Sequence, residues 1–192
     1  MRKVAILFMC VFACLMSSCG NNPKPEVHKP TAAFEDFTAY LDTAGYLSDT
    51  SRTQKLLADE VKDALVFHSG KSVFFIQAPE HQLILRNKEN WGANKQVDYA
   101  AFEKALFISV YYYYGKDRKI VVEDGVIEEW QFRTAGEAKK ALHEFNKIKD
   151  LVYFNTDSFS FQSMNRLYVF HTRAVAFNET LEQFYTTFRK RI

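Results

Sequence analysis

The eight residues FISVYYYY, Phe107 to Tyr114, are apolar or aromatic at every position except Ser109. A half-buried strand alternates apolar with polar because successive side chains point to opposite faces, and an amphipathic helix repeats its apolar residues every three or four positions. This run does neither. It reads as a strand covered on both sides, or as one whose tyrosine hydroxyls reach water. Sheet or core packing is the favoured role for Tyr111 to Tyr114 over a ligand platform, because buried rings usually serve packing. Aromatics make up 16% of the chain, and every phenylalanine except Phe8 and Phe12 lies beyond the first 18 residues, so a core built on large rings is expected.

The segments around this strand have readable periods. Phe34, Phe37, Leu41 and Ala44 recur at helical intervals and Gly45 closes the stretch. A second helix is predicted from Ser51, with Leu56, Leu57, Val61, Ala64 and Leu65 as its stripe, giving an αα-hairpin. The runs SVFFIQ (72 to 77) and QLILR (82 to 86) are β-rich and separated by a hairpin-length linker, and NKENWGANKQ (87 to 96) is an aperiodic loop. Asp98 can cap a short helix that carries Tyr99, Phe102 and Leu106.

Beyond the aromatic run, Asp124-Gly125 sits between two β-rich segments and predicts a type I′ hairpin turn. Thr134 and Glu137 have capping-box spacing ahead of Ala138, Ala141, Leu142, Phe145 and Ile148, one face of a helix. Short strands are predicted over 151 to 154, 159 to 162 and 166 to 171, then a final helix with Phe177, Leu181, Phe184 and Phe188 on one stripe. Arg189-Lys190-Arg191 ends that helix, where cations suit its dipole. This order predicts an α+β fold, an antiparallel sheet with helices packed mainly on one face, and a ferredoxin-like flavour in the C-terminal half.

All three cysteines, Cys10, Cys14 and Cys19, fall in the first 19 residues. Arg2 and Lys3 precede an apolar stretch from Val4 to Met16, and Ser17-Ser18 stand directly before Cys19. That is the layout of an export signal, and thirteen helical residues span only about 20 Å, short of a bilayer core. Leu15-Met16-Ser17-Ser18-Cys19 resembles the lipobox of bacterial lipoprotein precursors. The resemblance implies cleavage before Cys19 and diacylation of its sulfur. Acyl chains contribute about 0.8 kcal/mol per buried methylene, and two or more hold a protein stably on a membrane. The expected organisation is therefore a signal peptide at 1–18, a lipidated cysteine and flexible tether at 19–30, and one globular domain at 31–192. No disulfide is available to the mature chain, so its core must carry its stability.

The full chain holds 25 Lys+Arg and 23 Asp+Glu; without Arg2 and Lys3 the two counts are equal at 23. A neutral domain has no general attraction for nucleic acid, which is not an expected partner. His68 to Ser72 ends in GKS, but Leu65 stands where a phosphate loop needs its first glycine. The five histidines show no metal-ligand spacing, and neither a metal nor a cofactor is expected. Glu128 and Glu129 are adjacent on a strand and must point to opposite faces, so they cannot act as a carboxylate pair. His171-Thr172-Arg173 follows the last strand without any nucleophile-elbow motif, and no catalytic residue is assigned. Trp91 is the candidate binding residue, a large ring in a polar loop where no apolar stripe explains it, although folding back over the core would account for it too.

The reading favoured by these features is a non-enzymatic domain, exported and lipid-anchored to a bacterial cell membrane on its periplasmic or surface face. Such a domain would bind a protein or glycan or support the envelope. The alternative is an extracytoplasmic hydrolase with a site assembled from scattered residues near His171 and Arg173.

Overall fold

The aromatic run becomes the strand Phe107–Gly115, flanked on both edges and covered on both faces. The computed structural model describes residues 30–49, 73–76, 97–117, 124–149, 158–172 and 174–192. In chain order the elements are α1 (Ala32–Thr43), β1 (Tyr46–Ser48), β2 (Val73–Ile76), a 3₁₀ helix (Tyr99–Lys104), β3 (Phe107–Gly115), β4 (Asp124–Gln131), α2 (Ala135–Lys149), β5 (Ser158–Ser163), β6 (Arg166–His171), a 3₁₀ turn (Val175–Phe177) and α3 (Asn178–Arg189). The predicted helix from Ser51 and the predicted strands at 82 to 86 and 151 to 154 lie outside the described residues.

The sheet is antiparallel, in the order β1-β3-β4-β6-β5. β2 shares the outer edge of β3 with β1, pairing at Ile108 to Tyr111 while β1 pairs at Tyr113 to Gly115. β4 and β5 both run antiparallel to β6, hence parallel to each other, with α2 crossing between them. This is a split β-α-β unit, the element that gives the C-terminal half its ferredoxin-like flavour.

Side chains alternate strictly across this register. Ile108, Trp130 and Leu167 form one cross-strand row under Phe145, Ala138 and Ala141 of α2 and Phe102 of the 3₁₀ helix. Tyr111, Ile127 and Phe170 form a row on the opposite face, under Phe34, Phe37 and Leu41 of α1 and Leu181, Phe184 and Phe188 of α3. The α+β class is as expected, while the helical cover is more even than the sequence implied: α1 and α3 take one face and α2 the other. β3, β4 and β6 carry large apolar side chains at both parities, and each set needs its own lid.

Local signals explain most element ends. Thr31 caps α1 by accepting from Phe34 N–H, and Gly45, at φ +93°, turns the chain into β1 in a conformation that favours glycine. Thr134 and Glu137 make the reciprocal capping box at the start of α2, with distances of 3.1 and 3.2 Å. Asp98 accepts from Ala100 N–H and caps the short helix, which is 3₁₀.

Asp124-Gly125 departs from the expected turn. The pair does not form the hairpin turn; it opens β4, with Asp124 opposite Tyr114 and Gly125 opposite Tyr113. A Cβ on Gly125 would collide with the Tyr113 phenol. The glycine is there because a ring lies across its backbone, an arrangement in which an aromatic neighbour covers a strand glycine.

The β5–β6 hairpin closes through Met164 and Asn165, since Ser163 pairs with Arg166. Met164 holds φ +50°, where a bulky side chain is strained by roughly 1 to 2 kcal/mol, and it is 80% exposed. Asn165 braces the tip, receiving Phe132 N–H on its backbone oxygen and donating its side-chain amide to Phe132 O at 2.7 Å.

Candidate functional site

Cys19, Trp91 and Arg173 lie outside the described residues, so the geometry of the sequence-derived candidates rests on His171 and the groups around it. β4 delivers two adjacent carboxylates, and the pleat sends them apart as expected. Glu128 points into the α2 face and Glu129 into the α1/α3 face.

Glu128 is buried between Val110 and Val169 in register. Its carboxylate accepts from the Trp130 indole N–H at 2.7 Å and lies 3.4 Å from His171 Nε2. Ser158 is opposite His171 across the β5–β6 pair, so three chemically capable side chains occupy neighbouring strands on one face. The Ser158 hydroxyl is buried and makes no hydrogen bond among the described residues. Nucleophilic catalysis needs a base within about 3.2 Å of the nucleophile and access for substrate. With Ser158 1% exposed, this arrangement provides neither, and the Trp130–Glu128 bond instead satisfies a buried indole.

Glu129 is fully buried and serves the start of the fold. One carboxylate oxygen accepts Thr31 N–H at 3.0 Å and the Arg166 guanidinium at 2.9 Å, and the other accepts the Thr31 hydroxyl. Tyr168 stands beside this group, its hydroxyl 3.4 Å from Thr31 Oγ1; burial, with the Glu129 charge next to it, pushes its phenol well above the usual 10. The first helix is thereby fastened to a central strand through a buried ion pair and its own N-cap. Nothing in the local sequence announces this clamp. Thr31 reads as a cap and Glu129 as a strand residue, and only the register brings them together over 98 positions.

On α3, Glu179, Glu182, Gln183, Thr186 and Thr187 line an open polar depression that is ordinary solvent-facing helix surface. Among the described residues no group of three His, Cys, Asp or Glu side chains is placed to hold a metal ion, and no helix is long and apolar enough to cross a membrane. Comparison with protein-family models, curated proteins and solved structures finds nothing that matches this chain.

Proposed function

We infer that this chain is an exported lipoprotein whose domain acts without catalysis, binding a partner or supporting the envelope while held to a bacterial cell membrane through acylated Cys19. The observation that favours this reading is the clamp at Thr31. The segment after Cys19 joins the domain where Glu129 and Arg166 fix the first helix to the sheet. A pull on an anchored chain would enter the fold there and pass to a central strand, not peel away a terminal helix. Trp91 remains the proposed contact for a protein or glycan ligand. The hydrolase alternative has His171 beside Glu128 in its favour, but the serine opposite is closed to substrate.

Metabolic labelling with a fatty acid tests the anchor. The parent protein should take up label and sediment with membranes, and Cys19→Ala should do neither. Equal labelling of both proteins would remove the basis of the proposal.

A further inference from the structure

The sheet ends differently at its two sides. On the outer side of β3 the edge is broken into two short strands, β1 of three residues and β2 of four, and short strands are one way a fold blunts an edge. β5 closes the other side with six residues, Ser158 to Ser163, all of them in register with β6. Among the described residues no strand pairs with its outer side. Its sequence, SFSFQS, holds no charge, proline or glycine, the residues that ordinarily keep an open edge from adding another strand.

The helices over this edge carry features that match it. α2 and α3 each pack over both β5 and β6, one on either face. α3 runs along β5, with Phe184 beside Tyr113 near the Ser158 end and Phe188 beside Phe161. Tyr185 stacks on Phe159 at 5.3 Å and meets Phe161 edge-on at 5.7 Å, which puts it level with Ser160. Arg189 follows on the same flank, its guanidinium 5.9 Å over Phe161 and donating to the Tyr185 hydroxyl at 3.2 Å. Stacking on a ring orients a guanidinium and leaves its charge in place. Glu182 precedes Tyr185 on that flank and is exposed. Seven residues of helix, about 10 Å, separate it from Arg189, too far for the two to pair within the chain. On the other face, the Ser160 hydroxyl is 3.4 Å from the side chain of Asn146 of α2, which is exposed and uncharged.

We propose that β5 pairs with β5 of a second copy of this chain, antiparallel, about a two-fold axis normal to the sheet at Ser160. Phe159 then lies opposite the partner's Phe161, and Ser158 opposite the partner's Gln162, so rings meet rings on one face and polar groups meet on the other. The same axis turns α3 end for end and carries Glu182 toward the partner's Arg189, an attraction that symmetry makes twice. That charge complementarity, centred where Tyr185 stands level with Ser160, argues for a second copy as the occupant and not an unrelated strand. The helices leave room for it. Neighbouring strands lie about 4.8 Å apart and each helix sits over β5 and β6 together, so each comes about 10 Å from its symmetry mate, a helix-packing distance. The pairing uses only the domain and stands apart from the lipoprotein reading.

The experiment uses the full chain as its cells process it, in mild detergent, with its mass read by native mass spectrometry over a range of protein concentrations. A dimer and nothing larger is expected, since a contact of one patch with itself closes. Glu182→Arg should weaken the dimer about tenfold, because both symmetric pairs become repulsive, and adding Arg189→Glu should restore it. Directly opposite residues of an antiparallel pair lie about 4.5 to 5.5 Å apart between Cα atoms, within disulfide reach. Ser160→Cys should therefore cross-link two chains on mild oxidation, while Val175→Cys, 69% exposed, should add nothing to the parent. A chain that stays monomeric, oligomers that grow without closing, or a dimer indifferent to both the charge reversal and Ser160→Cys overturns the proposal.

Discussion

Replacing Gly125 by alanine puts two opposite expectations in direct conflict. In a strand, glycine to alanine ordinarily gains about 0.5 to 1 kcal/mol, because glycine loses more freedom on folding. Here the added Cβ would fall on the hydroxyl oxygen and Cζ of Tyr113 and lie 2.8 Å from Cε1, whereas carbon contacts settle near about 3.5 to 4 Å. The ring cannot step aside freely. Tyr113 is fully buried and held by Tyr46 at 5.7 Å, Phe177 at 6.1 Å and Phe184 at 6.0 Å between centroids. Overpacking a dense core costs about 1 to 3 kcal/mol, and a displacement of about 1 Å in a caged ring belongs at the upper end. Gly125→Ala should therefore lower stability by about 2 kcal/mol net, read as a reduced urea midpoint at unchanged slope. Tyr113→Phe removes a buried hydroxyl that makes no hydrogen bond among the described residues, so alone it should be neutral or stabilising, and it should recover part of the loss in the double variant. A Gly125→Ala protein as stable as the parent, or more so, would refute the claim that the ring dictates this glycine.

Three further outcomes follow from the packing and the charges. Phe145→Ala and Phe184→Ala, one on each side of the sheet and both buried, should each cost about 3 to 5 kcal/mol in urea unfolding; a loss below about 1 kcal/mol for either would mean that its side of the sheet is poorly packed. Arg166→Met leaves the buried Glu129 carboxyl without its ion-pair partner and should cost about 3 kcal/mol or more, with faster amide exchange at Thr31, whereas adding Glu129→Leu should restore most of the loss. If the double variant is no better than the single, the ion pair is not what holds the clamp. Glu144 is buried, which alone would raise its carboxyl, but the Lys147 ammonium and Asp98 N–H outweigh that and hold it below its ordinary 4.5. A depressed carboxyl stabilises the fold above its unfolded value and loses that contribution as pH falls through the folded one. The parent should thus lose stability relative to Glu144→Gln as pH drops below about 4.5, and parallel acid-unfolding curves for the two proteins would contradict the assignment.

What the sequence determined by itself was local, because its physics is local. The stripes of Phe34, Phe37 and Leu41 and of Leu181, Phe184 and Phe188 become buried helix faces, the Thr134–Glu137 spacing becomes a capping box, and the aromatic run becomes a strand covered on both sides. Each depends on neighbours within a few residues, where a period of 2 or 3.6 decides what can be buried. The tertiary structure decided what depends on pairing across the chain. Asp124-Gly125 carries the local chemistry of a turn, yet pairing with Tyr113 and Tyr114 draws it into β4. Glu129 and Thr31 have no local reason to meet, and Glu128 and His171 approach only because β4 and β6 are neighbours in this register. A one-residue shift of that register would turn both carboxylates to the wrong faces, separating the clamp from Thr31 and the indole from its acceptor. The sheet order selects which side chains share a face, and that order is set by the total burial of two aromatic layers, a quantity no single segment contains.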